Sequence, residues 1–220
     1  MTSDAPPQIE GYTDLAEVGR GGFAVVYRAR QERIGRLVAL KVLTTGHLDE
    51  RARARFTREC QAMGELSWHP HVVAVHDSGT AADGRPWLAM EYLERGSLGD
   101  RVAARGPVPW PEAVTAGIEV AGALGAAHAH GTLHRDVKPE NMLVGPFGET
   151  KLADFGIAAV EGSVQTTTGR AWFSVAHVAP EVLRGQRQDE RTDVYCLASS
   201  VLTLVNGRPP FSGDPDEPLA

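Results

Sequence analysis

In the stretch HRDVKPEN, His134 to Asn141, an aspartate, a lysine and an asparagine stand at positions 136, 138 and 141. Asp136 and Lys138 are two residues apart in an extended loop, so both can point at one reacting centre. Asn141 offers a neutral oxygen ligand to a hard cation. Thirteen residues further on, ADFGIA brings the anionic oxygen of Asp154, suited to the same cation. Lys138 is one of only three lysines beside nineteen arginines. A chain that drifts so far toward arginine keeps lysine where a compact, strongly hydrated point charge is needed rather than a planar fork. Lys41 and Lys151 are the other two.

Lys41 ends the apolar string VALK. Facing inward it needs an anionic partner, and Glu59 in RFTRE, on the following helix, is the best candidate; facing outward it would be a snorkelling lysine on a strand edge. Ahead of it lies GRGGFAVV, Gly19 to Val26. Glycines there let backbone N–H groups approach phosphates without interference from Cβ. A hairpin turn needs glycine too, so the loop alone leaves both readings open. It also departs from G-x-G-x-x-G-x-V, because Ala24 stands at the third glycine.

These residues need a scaffold. The 220 residues suffice for one large domain or two small lobes with a substantial core. A net charge of −6 argues against a nucleic-acid partner. Arg51, Arg53, Arg55 and Arg58 alternate with Asp49, Glu50 and Glu59 and read as a solvated helix face. Cys60 and Cys196 lack CxxC spacing, so disulfide and metal site are not expected and a reducing cytoplasm fits. The N-terminus has no signal-peptide pattern. The longest apolar run, Val194 to Val205, is too short for a bilayer span, so no membrane segment is expected.

Residues 1–10 read as a disordered lead-in. FAVVYRAR, RLVALKVL, HVVAVHDSG and RPWLAMEYL read as strands, the last two joined by the turn DGRP. One helix interrupts them, Asp49 to Leu66, with Phe56, Cys60 and Met63 on one face. Ser97 is placed to cap a short helix ending at Arg105, and Pro111 opens an Ala-rich helix running to about His130, with Gly131 at C′. Short strands and loops follow, then a helix from about Thr192 to Val205. The pattern is a small β-rich lobe followed by a mainly helical one.

The glycine-rich loop, VALK, Glu59, HRDVKPEN, DFG and Ala179-Pro180-Glu181 together resemble the protein-kinase signature set. The resemblance covers about residues 11 to 212 and is to bacterial eukaryotic-like serine/threonine kinases, since Lys138 follows HRD as in that group. It implies an α+β, bilobal fold: a small antiparallel β-sheet lobe with one helix over 11–90, a hinge over 91–96, and a partial, mainly helical lobe over 97–220. The implied activity is ATP-dependent phosphorylation of serine and threonine hydroxyls on protein substrates, the chain itself included, with Mg²⁺ or Mn²⁺. The alternative is a pseudokinase or nucleotide-binding regulatory fragment, motivated by Ala24, Phe173 and the family's last helices being absent from these residues.

Position by position, the resemblance makes Asp136 the residue that accepts or orients the substrate proton. Lys138 holds the γ phosphate, Lys41 the α and β phosphates, and Glu59 fixes Lys41. Asn141 and Asp154 hold the metal. Val18, Gly19, Arg20, Gly21, Gly22 and Phe23 form the phosphate-covering loop. Val26, Ala39 and Leu143 sandwich the adenine, Met90 is the gatekeeper, and backbone groups of Glu91 and Leu93 bond the adenine edge. His134 packs with Met63, Val75 and Phe155. Arg135 pairs with phosphate on Thr166, Thr167 or Thr168, whose bland reading is a polar loop, and Ser174 keeps a hydroxyl near Asp136. The family continues through about three more helices, one with an arginine for Glu181, so the chain is expected to be a truncated product with Glu181 unpaired. Dimerisation is left open by the residues.

Overall fold

The structure is a computed structural model; it describes residues 6–22, 24–44, 50–155 and 176–211, without the side chains of Arg51, Ala52, Arg55 and Glu59. The chain divides into two compact units, residues 1–68 with 73–93, and residues 69–72 with 94–220.

In the first unit five strands form one antiparallel sheet: β1 (Tyr12–Arg20), β2 (Ala24–Gln31), β3 (Arg36–Leu43), β4 (Val75–Thr80) and β5 (Pro86–Glu91), in the order β1-β2-β3-β5-β4. Successive strand side chains alternate faces and cross-strand partners share one. One face therefore buries Val25, Tyr27 and Ala29 of β2, Val38, Leu40 and Val42 of β3, and Trp87 and Ala89 of β5. The registers Gly19 to Val26, Val26 to Lys41, Lys41 to Leu88 and Ala39 to Met90 define the other face. Helix α1 (Glu50–Leu66) turns Phe56, Cys60 and Met63 inward, the predicted stripe, and buries Leu66 at its end. Arg53 and Arg58 are exposed, as a solvated face requires.

Two expectations for this unit need correction. The lead-in is packed over its described end: Ile9 joins the core and Gln8 O accepts from Ala82 N–H at 3.3 Å. One isoleucine among polar neighbours is invisible to composition, yet burying such a side chain contributes about 1.5–3 kcal/mol. Nor does the strand expected from His71 begin there. Its ladder starts at Val75, because Val72 bridges Leu152 and His71 Nδ1 bonds Thr150 O at 2.9 Å, which ties 69–72 to the second unit.

The second unit starts with α2 (Leu98–Arg105). Ser97 Oγ accepts from Asp100 N–H and the Asp100 carboxylate accepts from Ser97 N–H, a reciprocal cap. Helix α3 (Trp110–Ala129) follows, then a 3₁₀ turn (Pro139–Asn141) and the hairpin β6 (Met142–Val144) and β7 (Thr150–Leu152). Short α4 (Pro180–Leu183) precedes α5 (Glu190–Asn206), longer than expected because Asp189, not Thr192, caps it. The alanine stripe of α3 packs on α5. A Cβ added at Gly117 would meet Val201 Cγ2 at 3.0 Å, so the helices approach over a glycine. Glu181 accepts a hydrogen bond from Thr192 Oγ1 at 2.7 Å, and among the described residues no cation pairs its charge. No helix among the described residues is long and apolar enough to cross a membrane.

Candidate active site

On the second unit the chain leaves α3 and enters HRDVKPEN through residues held from several directions. Asp193, near the start of α5, has no exposed surface. Its Oδ2 accepts from His134 N–H at 2.9 Å and pairs with His128 Nε2 at 2.7 Å; its Oδ1 accepts from Arg135 N–H at 2.7 Å. Arg135 sits at φ +68°, a left-handed conformation that costs roughly 1–2 kcal/mol for a residue with a Cβ. Two backbone bonds to a buried carboxylate, itself anchored by His128 of α3, hold the loop in that shape. Further along, Ser200 Oγ donates to Val137 O at 3.3 Å. Neither Asp193 nor His128 carries a local signal in the sequence for this role.

His134 is a packing and hydrogen-bonding residue. Its ring meets Phe155 edge-on at 4.7 Å, Nδ1 accepts from Asp136 N–H at 3.2 Å, and Nε2 pairs with Ala153 O at 2.8 Å. Because Nδ1 accepts a hydrogen bond, it carries no hydrogen of its own; the hydrogen is on Nε2, which donates to Ala153 O, and the ring is neutral. Burial pushes its pKa below the ordinary value, which favours that form. The loop and the start of DFG are thus tied through one imidazole and through Ala153 N–H to Asn141 O at 2.9 Å.

Within this frame Lys138 Nζ lies 2.6 Å from Asp136 Oδ2. Asn141 Nδ2 donates to Asp136 O at 2.7 Å and to Asp136 Oδ2 at 3.2 Å. The amide nitrogen is therefore committed to Asp136, and the amide oxygen is the atom Asn141 can offer a cation. Asp154, at φ +64°, follows directly on Ala153. A carboxamide and a carboxylate oxygen suit a hard ion that keeps water and phosphate oxygens as its remaining ligands. No group of three His, Cys, Asp or Glu among the described residues forms a closed metal cage. Cys196, free and buried, has its pKa pushed up to about 12 by burial, with the Asp193 charge adding, so it is an inert thiol.

On the first unit, Val26, Ala39, Lys41 and Met90 fall on the sheet face opposite the core. Lys41 is largely buried there. Glu59 lies in α1 with its side chain outside the described residues. Val18 is half exposed at the end of β1 beside Gly19, and the loop turns through a bond from Gly21 N–H to Ala24 O at 2.8 Å, next to exposed Gly22. Phe23 is outside the described residues, and the Arg20 guanidinium is paired with Glu17 at 2.5 Å. Glu91 N–H is engaged by Ala74 O at 2.9 Å. Leu93 ends this unit, and Leu143 pairs with Lys151 in the hairpin of the other. Thr166, Thr167, Thr168, Phe173 and Ser174 lie outside the described residues.

Residues 12–219 match the protein kinase domain, and the chain belongs to the protein kinase family. It is 47% identical over 197 residues to the serine/threonine-protein kinase PknK of Mycobacterium tuberculosis, covering 90% of this chain and 18% of that protein. It is 42% identical over 207 residues to PknL of the same organism, covering 92% of this chain and 51% of that one. The chain thus spans about half or less of these curated relatives. Against the crystal structure of the M. tuberculosis PknI kinase domain the TM-score is 0.75 at 33% identity, over 96% of this chain and 78% of that one. The fold is the α+β protein-kinase fold, and membership implies ATP, a divalent cation and protein substrates in general.

Proposed function

We propose that this chain is a serine/threonine protein kinase catalytic domain that moves the γ-phosphoryl group of ATP to a protein hydroxyl. The observation that carries the reading is the Asp136 carboxylate, held by Lys138 at 2.6 Å and by Asn141, in a loop pinned from beneath by Asp193. The bond from phosphorus to the ADP oxygen breaks and a bond to the hydroxyl oxygen forms. Asp136 receives or orients the hydroxyl proton, work typically worth about 10²–10⁴-fold. Lys138 offsets charge on the transferring group, and Lys41, fixed by Glu59, is assigned the α and β phosphates. Asn141 and Asp154 would hold Mg²⁺ or Mn²⁺, which supplies charge neutralisation across the phosphates.

The remaining assignments belong to the same reading. Val18 to Phe23 cover the phosphates, and Val26, Ala39, Met90 and Leu143 enclose the adenine. Because its N–H is spent on Ala74, Glu91 is assigned a carbonyl contact to the adenine edge, beside Leu93. Arg135 is the partner of a phosphate on Thr166, Thr167 or Thr168, and Ser174 a hydroxyl near Asp136. We infer the domains as a first lobe over 11–90, a hinge over 91–96 and a second lobe from 97, and a reducing cytoplasm as the compartment that suits two free thiols.

The test is Asp136→Asn in a γ-labelled ATP assay with a protein acceptor, beside nucleotide titration. Turnover is expected to fall by about 10²–10⁴-fold while nucleotide affinity stays within a few-fold. Near-normal transfer by the variant would overturn the assignment. Nucleotide binding without any transfer in the wild-type chain would favour the pseudokinase alternative.

A further inference from the structure

A groove of about 420 Å³ runs along α2, lined by Arg95, Ser97, Asp100, Arg101, Ala104, Arg105 and Val144. Three guanidiniums face one carboxylate there, on a chain whose net charge is −6. That carboxylate is occupied: Asp100 accepts from Ser97 N–H at 3.1 Å and from Ser97 Oγ at 2.7 Å. Arg101 is bound at both guanidinium nitrogens by Glu112. Among the described residues Arg95 reaches only Gly145 O, at 3.5 Å, Arg105 has no partner, and neither meets a carboxylate. The β6–β7 turn that carries Gly145 also carries Phe147, 95% exposed. Exposed aromatic and arginine side chains together are the residue types enriched where proteins bind partners.

The position of this groove gives it a use. The opposite side of α2 lies against the 3₁₀ turn of the catalytic loop, so closely that a Cβ on Gly99 would come within 2.9 Å of Glu140 N. We propose that the groove docks a protein segment that carries a carboxylate side chain next to an apolar residue. Arg95 and Arg105 pair the anion as forks, and Phe147 covers the apolar side chain. Only in naming the occupant a substrate does this rest on the kinase reading; charge and shape set the docking itself.

Fluorescence anisotropy on the whole 220-residue chain, without nucleotide, tests it. The probes are a labelled Glu-Glu-Leu peptide, its phosphoserine counterpart, and a Gln-Gln-Leu control. Both anionic peptides should bind at least ten-fold more tightly than the control and weaken with added salt. Arg95→Ala with Arg105→Ala should cost about ten-fold, roughly three-fold for each guanidinium, and Phe147→Ala about three-fold. Affinities within ten-fold of each other for the glutamate and phosphoserine peptides support the carboxylate as occupant; a phosphoserine peptide binding more than ten-fold tighter overturns it. Unchanged binding by the double variant, or equal binding of the control, overturns the proposal. Phosphate transfer to a short acceptor without the acidic segment should be equal in variant and wild type. Absent transfer with intact docking would strike the kinase reading alone; intact transfer with absent docking would strike the groove alone.

Discussion

Asp193→Asn isolates the contact that shapes the catalytic loop. The carboxylate is wholly buried and meets three donors: His128 Nε2, His134 N–H and Arg135 N–H. Asparagine keeps the shape but has one oxygen and one amino group. With the amide oxygen toward Arg135, the amino group faces His134 N–H and His128. The imidazole can change tautomer and accept, whereas the backbone N–H has no such choice and is orphaned, at a cost of about 1–3 kcal/mol. Flipping the amide orphans Arg135 N–H instead. Replacing a charged acceptor by a neutral one costs about 1 kcal/mol more, since charge-assisted bonds are roughly twice as strong. The sum, about 2–4 kcal/mol, corresponds to a drop in Tm of about 4–16 °C for a chain of this size. In either orientation one of the two loop amides is released and the φ +68° conformation of Arg135 is held less firmly, so turnover should fall with Tm while nucleotide affinity changes little. Calorimetry and a phosphotransfer assay on the same preparation provide the check. A variant with wild-type Tm and turnover would refute the reasoning and mean that the loop is shaped elsewhere.

Two further outcomes follow from packing and burial. A Cβ at Gly79 would lie 2.6 Å from Trp87 Cζ2 in the core of the first unit, so Gly79→Ala should cost about 1–3 kcal/mol by overpacking, read as a lower denaturant midpoint by tryptophan fluorescence; an unchanged midpoint would mean the indole yields freely. His134 and His177 are buried and held below the ordinary imidazole value of 6.5, by burial first. Below 6.5 the unfolded chain binds protons there that the folded chain refuses, so stability is full above 6.5 and is lost as pH falls through it. Tm measured against pH should show this, with a shallower fall for His177→Phe. Equal slopes would assign the acid lability to other groups.

What was legible in the sequence was whatever consecutive residues decide. Ser97 and Asp100 cap α2 three residues apart, Pro111 and Gly131 bracket α3, and alternation in RLVALKVL sets a strand with Lys41 on the face opposite Leu40. These are short-range effects, in which steric limits, cap bonds and periodicity act within a turn or two. The residue types of HRDVKPEN and DFG were equally plain, because their chemistry depends on spacing along one loop. Other features needed the fold. Ile9 looks like part of a polar tail until Tyr12 and Trp87 give it a core to enter. His71 to Val72 look like strand until Thr150 and Leu152 claim their backbone and ring. Asp193 lies 58 and 59 residues from the amides it holds and 65 from His128, and Gly145 lies 50 from Arg95. A buried charge is tolerable only where distant donors converge on it, and their convergence is set by how α3, α5 and the hairpin pack, which no local stretch of sequence encodes.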